Sequence, residues 1–351
     1  MATIHYSSNS YSGEVLEDLL VYSMHGNDTY KEGLIHIVPG IQSKLTLPNV
    51  SLGKIIQDNK PTPTSTEGGD ANGLNKYTFG ERYLEPQDFM VYLEFNPRDF
   101  EKYWSFAQPD GQLLFRELDP KIQSTMLRLL VDRKDQYIDD CIWCGRKGGV
   151  NAKITSDSVH NTVIGGEDEA GPMKYFDGFM ARVLTNLNST EEAETSTGKV
   201  ILAGSTALTT GEQVELALRA MYKKCPAKLR KNEKLVFVMG YDLFDLYNDY
   251  LSDKVTKYSD NTKENEYRFK GHRIVVMSSI PENTIALAKF TTGQDSALWS
   301  GVDYASDQES VKIDRLQANS ELYFFQMRMK MDVNIVLPSE IVVWTTYTLT
   351  A

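Results

Sequence analysis

Apolar and polar residues alternate almost without a break near the end of the chain. Tyr323, Phe325, Met327, Met329, Met331, Val333, Ile335 and Leu337 are apolar, and Gln326, Arg328, Lys330, Asp332 and Asn334 lie between them. A period of two predicts a strand with one buried and one wet face. The run is longer than ordinary strands, so its partners should be long too. The Met327, Met329, Met331 stripe shares that period and reads as core rather than as a cofactor box. Pro338 breaks the run, and Ile341-Val342-Val343-Trp344 predicts a last strand.

A period near 3.6 dominates another stretch. Ile122, Met126, Leu129, Leu130, Tyr137, Ile138, Cys141 and Ile142 share a helical face, with a polar gap near Arg133. Asp119 suits the N-cap and Pro120 the first helical position. Gly145, Gly148 and Gly149 end the pattern. A helix over 120–144 would be about 37 Å long, which suits a spine.

The first 43 residues are polar and weakly periodic, and predict an arm rather than a core element, with a short helix over Glu14–Tyr22. Residues 44–57 alternate as a strand. The tract Asp58–Asn75 holds Pro61, Pro63, Gly68, Gly69 and Gly73 and predicts a loop tip. Strand character resumes at Lys76–Phe79 and at Phe89–Leu93, so an extended hairpin is expected. Such a hairpin needs a neighbour to lie on.

Residues 150–199 are loop-rich around a helix predicted over Tyr175–Asn186. From Lys199 strands and helices alternate. Val200–Leu202, Leu235–Met239, Arg273–Met277 and Ile285–Ala288 predict strands; Thr210–Lys224 and Asp242–Ser252 predict helices. Thr210 and Gln213 have capping-box spacing. This is a compact α/β unit.

Net charge is −11, which opposes a groove that follows nucleic acid. Aromatic residues are 11% of the chain, with 19 Tyr, and lean toward sheet. Three cysteines, Cys141, Cys144 and Cys225, form no disulfide framework and fit a reducing compartment. The N-terminus, Met1-Ala2-Thr3-Ile4-His5, has no signal pattern, and no apolar run approaches a membrane span. A soluble protein made in a cytoplasm is expected.

No constellation for catalysis is legible, and no catalytic, cofactor-binding or metal residue is assigned. His5, His25, His36, His160 and His272 show no metal-ligand spacing. Gly204-Ser205-Thr206 lacks the ending of a phosphate loop. Cys141-Ile142-Trp143-Cys144 has redox spacing, but it sits at a predicted helix C-terminus, where the dipole opposes a thiolate. A buried, inert pair is the reading taken. Glu167-Asp168-Glu169 lacks the alternation of a calcium loop and reads as a solvated turn. Lys223, Lys224, Lys228, Arg230, Lys231 and Lys234 read as a helix C-terminus complementing its dipole.

The order of elements resembles the tailed-phage major capsid proteins of the Hong Kong 97-like fold. Four stretches carry the resemblance: Tyr137–Gly145, Lys234–Tyr247, Phe269–Val275 followed by Ile280–Asn283, and Asn319–Leu337 with Pro338. It implies an α+β fold with an N-terminal arm (1–43) and an extended hairpin loop, the E-loop (44–95). It also implies a peripheral domain (96–199 and 320–337) around the spine helix 120–144, and an axial domain (200–319 and 338–351). The implied role is a shell subunit, not an enzyme. The implied partners are many copies of itself in hexamers and pentamers, scaffolding, portal and decoration proteins, and packaged double-stranded DNA without sequence-specific contacts. No cofactor and no membrane are implied, and the location would be the virion, assembled in a bacterial cytoplasm. The short arm leaves scaffolding to a separate protein, or marks a mature chain. Lys54, Lys60 and Lys76 find no matching Asn and Glu for the isopeptide bond of some relatives, so that bond is not expected. An encapsulin-type compartment shell and a soluble α+β enzyme are the alternatives.

Overall fold

A computed structural model describes residues 9–11, 28–52, 59, 77–96, 120–147, 153–155, 163–164, 174–188, 198–253, 268–303, 311–317 and 322–350. The predicted helix Glu14–Tyr22, nearly all of the tract Asp58–Asn75, Asp119, Gly148 and Gly149 lie outside the described residues.

The chain opens with β1 (Asn9–Tyr11), the one-turn helix α1 (Asp28–Lys31) and β2 (His36–Val38). β3 (Leu45–Leu52), β4 (Tyr77–Leu84) and β5 (Gln87–Phe95) follow. Next come the long helix α2 (Pro120–Cys144), β6 (Lys153–Thr155), β7 (Val163–Ile164) and α3 (Phe179–Asn188). The α/β unit holds β8 (Ile201–Gly204), α4 (Gly211–Lys224), β9 (Leu235–Met239), α5 (Tyr241–Asp253), β10 (Arg268–Phe269), β11 (His272–Val276) and β12 (Ile285–Lys289). The chain closes with β13 (Leu298–Val302), β14 (Val311–Arg315), β15 (Tyr323–Ile335), β16 (Val342–Trp344) and β17 (Thr348–Thr350).

β15 is the axis of the first sheet. At 13 residues it spans about 44 Å. β5 runs antiparallel along one edge, from Tyr323↔Phe95 to Met331↔Gln87. Phe325 is paired with Leu93 and also with Ile313, so β14 must lie on the opposite edge. β13 continues on that edge, from Val302↔Met331 to Leu298↔Ile335. β1 adds to β14 and β2 to β13.

The second sheet has the order β10-β11-β9-β12-β16-β8. β9 is buried at every position, as the central strand of a sheet covered on both faces must be. One face receives α4 and α5 through Val214, Leu218, Met221, Leu243 and Tyr247. The other face, with Val236, Val238, Ala286 and Val343, packs toward α2 and α3 around Trp143, Phe179 and Met180. Thr210 caps α4 as its spacing predicts: its side chain accepts from the Gln213 N–H, and Gln213 Oε1 accepts from the Thr209 N–H at 2.9 Å. Asp242 lies in the first turn of α5, and its carboxylate accepts from the Asn283 N–H at 2.9 Å.

Several expectations are corrected. Residues 28–43 are core, not arm: Thr29, Leu34, Ile35 and Ile41 are all buried. The elements there are three or four residues long, too short to show a period. β5 is not part of the protruding hairpin, because its whole length pairs with β15. β13 and β14 fall inside the predicted 200–319 unit, yet they pair with β15 rather than with the α/β sheet. β17 likewise leaves that sheet and pairs with β6.

α2 ends as predicted but faces differently. Leu129 is 64% exposed, whereas Lys134 and Asp135, beside the expected polar gap, are buried as an ion pair at 3.1 Å. Burial lowers the Lys134 pKa, and Asp135 opposes the shift. Gly145 ends the helix without the left-handed backbone of a glycine cap. It is needed for close approach: a Cβ on Gly145 would stand 2.6 Å from Cys141 O and 2.8 Å from Phe176 O. Gly178 presses into the same spot and donates its N–H to Gly145 O at 2.8 Å.

Candidate assembly surface

The hairpin β3–β4 pairs with no other strand among the described residues. Its register runs from Leu45↔Leu84 at the root to Leu52↔Tyr77. The root is anchored. Leu47 and Leu84 bury with Ile41 against Trp299 and Val336. Polar contacts fix the same place: Asn334 Nδ2 donates to Tyr83 O at 2.7 Å, and the Glu85 N–H donates to Asp332 Oδ2 at 2.8 Å. This corrects the expectation of a wet face along β15, since Asp332 and Asn334 are buried under the hairpin root. Their side chains satisfy backbone groups that would otherwise be left unpaired. Away from the root the hairpin is open. Phe79 is 71% exposed, whereas at the root Lys44 lies 3.7 Å above the Tyr83 ring.

Beyond the root, the same face of the first sheet carries large side chains outward. Met90 is 56% and Tyr92 44% exposed. Tyr92 stacks on Phe324 with ring centroids 6.1 Å apart, and its hydroxyl donates to Glu94 Oε1 at 2.7 Å. Arg328, opposite Met90, is also exposed. Lys330 bridges Asp88 at 3.6 Å and Asp303 at 3.7 Å. Two aromatics, a Met and an Arg on a flat sheet face, beside an open hairpin, have the composition of an interface centre.

Behind this face the parts are tied together by buried charge. Asp139 of α2 is 3% exposed. It accepts from the Thr29 N–H at 3.2 Å, from the Thr29 hydroxyl and from the Ser279 hydroxyl. Trp143 Nε1 donates to Thr29 Oγ1 at 2.9 Å. Burial pushes the Asp139 carboxyl above its usual range, against the pull of these donors. On α3, Arg182 donates to Asp332 Oδ1 at 3.2 Å and to Val333 O at 3.2 Å. Burial likewise raises Asp332, and Arg182 opposes it.

The residues singled out in the sequence are scattered. Cys141 and Cys144 are buried free thiols. Burial pushes Cys141 up to about 12 and Cys144 higher still, so neither is a ready nucleophile. Met327, Met329 and Met331 are core, shared between the clusters under β5 and under α3. In the basic run, Lys224 Nζ donates to Leu202 O at 3.0 Å and Ala203 O at 3.1 Å, and Lys234 pairs with Asp295 at 3.0 Å. Trp344 lies over Gly204 and donates to Thr206 O, so that turn is filled by an indole. His36 Nδ1 meets Thr292 O at 2.6 Å and its ring packs on Trp299. Glu167–Glu169, His5, His25, His160, Lys54, Lys60 and Lys76 lie outside the described residues. The sequence reading missed Asp139, Asp332 and the exposed Met90–Tyr92 face. The unbroken apolar run Phe89–Leu93, which puts apolar side chains on both faces of β5, was the available signal for that face.

No family model matches the chain, and no curated protein matches it. Solved structures do match. A chain of the satellite phage P4 procapsid, solved with its size determination (Sid) protein, is similar at TM-score 0.57 and 13% identity, over 97% of this chain and 93% of that one. A chain of the cyanophage A-1(L) capsid gives 0.54 and 13%, over 91% and 92%. A chain of the bacteriophage PhiM1 mature capsid gives 0.53 and 9%, over 98% and 92%. This chain has the fold of phage capsid proteins.

Proposed function

We propose that this chain is a major capsid protein that assembles as hexamers and pentamers into the icosahedral head of a tailed double-stranded DNA bacteriophage. The observation that carries the proposal is a hairpin that is anchored at its root and, among the described residues, pairs with no further strand. A lone two-stranded hairpin is marginal in water. Its outer part, with Phe79 exposed, gains stability by lying on another copy. The full-length likeness to capsid chains supports this reading. In it, β3–β4 is the core of the E-loop, α2 the spine of the peripheral domain, and the sheet of β8–β12 and β16 the axial domain. Scaffolding and portal proteins would direct assembly, decoration proteins would bind the finished shell, and DNA would be enclosed without sequence-specific contacts.

Electron microscopy of the expressed full chain, with absorbance at 260 nm on the same sample, tests this. Closed shells that carry nucleic acid, or that fill with it when the packaging partners are supplied, are the expected result. Shells holding a protein cargo point to an encapsulin-type compartment. Monomers at every salt and pH, unchanged by added phage partners, overturn the shell reading.

A further inference from the structure

We propose that the α/β unit carries a head-to-tail docking pair, in which an acidic stripe on α5 of one copy seats against a basic rim on the next copy. This rests on the shell reading and names the contact by which neighbouring α/β units hold each other.

The stripe is Asp242, Asp245, Asp249 and Asp253. At 100° per residue they share an arc of about 80° on the helix. All four are exposed, while Leu243 and Tyr247 hold the opposite side in the core. None of them forms an ion pair among the described residues. Asp245–Asp249 and Asp249–Asp253 are like-charge pairs at i,i+4, which weaken a helix. Asp253, in the last turn, also opposes the dipole. Among the described residues Asp245, Asp249 and Asp253 therefore repel one another along α5, while Asp242 is held by the Asn283 N–H, and a positive partner relieves the repulsion.

The rim sits at the other end of α4. The Tyr222 ring has the Lys270 ammonium 4.6 Å from its centre and the Arg230 guanidinium at 5.4 Å. The His272 ring is 5.7 Å away, and its Nδ1 is buried without a hydrogen-bond partner. Lys223, whose carbonyl accepts from Arg230, is exposed beside them, while Arg268, paired with Arg273, lies on the other face of the sheet. β10, which carries Arg268, is the edge strand of the sheet. Two cations, Lys270 and Arg230, thus converge on one tyrosine with Lys223 beside them, and an anionic partner complements their charge. Exposed carboxylates of a second copy supply it. This chain has 48 Asp and Glu against 37 Lys and Arg, so acidic partners are in excess.

The two patches are separate. α4 crosses α5 where Gly211 meets Leu246 and Tyr250. Tyr222 lies eleven residues farther along α4, about 16 Å away. A contact between different patches of identical chains is heterologous, and it closes into rings when the rotation permits.

Three variants of the full chain test the pair: Asp245→Lys with Asp249→Lys, Lys223→Glu with Lys270→Glu, and all four together. Sedimentation at low and high salt reads association, rings as well as shells, and circular dichroism confirms that each variant folds. Each reversal alone should lower the assembled fraction about tenfold, and the fourfold variant should recover most of it. High salt should weaken wild-type association. If both single reversals assemble like wild type, or the fourfold variant stays as poor as they are, the pair is overturned while the shell reading stands. If rim reversal leaves assembly intact but lowers nucleic-acid content, the rim meets DNA and the pair is overturned. Salt-sensitive rings that obey the swap but never close into shells would keep the pair and overturn the shell. A chain that never associates overturns both.

Discussion

Ser279 donates its hydroxyl to the carboxylate of Asp139, and through this bond the loop after β11 is fastened to α2. Thr29 shares the same carboxylate, so three chain segments far apart in sequence meet on one buried group. Asp139→Ala would strand buried hydroxyls without an acceptor. The expected loss is about 2–3 kcal/mol by denaturant unfolding of the unassembled subunit. Asp139→Asn keeps one acceptor oxygen and should lose less. Equal losses for the two would show that the acceptor is not what matters.

The same group sets a pH dependence. Burial raises Asp139, Asp140 and Asp332 above their ordinary value. A carboxylate with a raised folded pKa contributes most stability below its unfolded pKa, about 4, and that contribution is lost as pH rises through the folded pKa. The stability gap between wild type and Asp139→Asn should therefore widen as pH falls from neutral toward that value. Calorimetric melting of both proteins across this window measures it, and a gap that narrows instead refutes the assignment.

Close approach at the end of α2 predicts a sharp contrast between two glycines. A Cβ on Gly178 would stand 2.5 Å from Cys141 O and 2.8 Å from Gly145 N, both backbone atoms. Gly178→Ala should lose about 2 kcal/mol or more, because neither helix end can give way. Gly40, at φ +78, has open space around the new methyl, so Gly40→Ala carries only the backbone strain of about 1 kcal/mol. Urea titrations compare the two.

Burial raises the thiol pKa of both Cys141 and Cys144 and shields them from reagents. Alkylation at mildly alkaline pH should leave both unmodified in the folded protein and label both after unfolding. Rapid labelling of either in the native state, read by mass spectrometry, would contradict the packing around Trp143.

The outer sheet face should matter to assembly and little to folding. Met90→Asp with Tyr92→Asp touches exposed positions, so subunit stability should shift by only about 0.5 kcal/mol per site. Particle yield should collapse. Wild-type yield from a folded double variant would remove this face from the interface.

Long periodic segments were legible in advance. α2 spans the predicted 120–144, and β15 lies within the predicted alternation, because each buries one face along many turns or pleats. Short elements were not. α1 places Thr29 and Tyr30 in the core and the turn before β2 places Leu34 and Ile35 there, yet neither element is long enough to show a period. The pairing of β13 and β14 with β15 was hidden, because their side-chain pattern fits either sheet. Nothing in the spacing of α2 singles out Asp139, because its partners Thr29 and Ser279 come from segments far away in the sequence. The exposed face of β5 was hidden by the expectation that apolar residues go inside, which holds in one direction only.

The length of β15 also has a mechanical consequence. Its ladder bonds to β5, β14 and β13 stand across the strand axis. A pull along that axis loads them together in shear, rather than peeling them apart in turn. In a container that resists pressure from its contents, such a strand acts as a tie-rod, and rupture should begin at the short strands β10 and β16, not here.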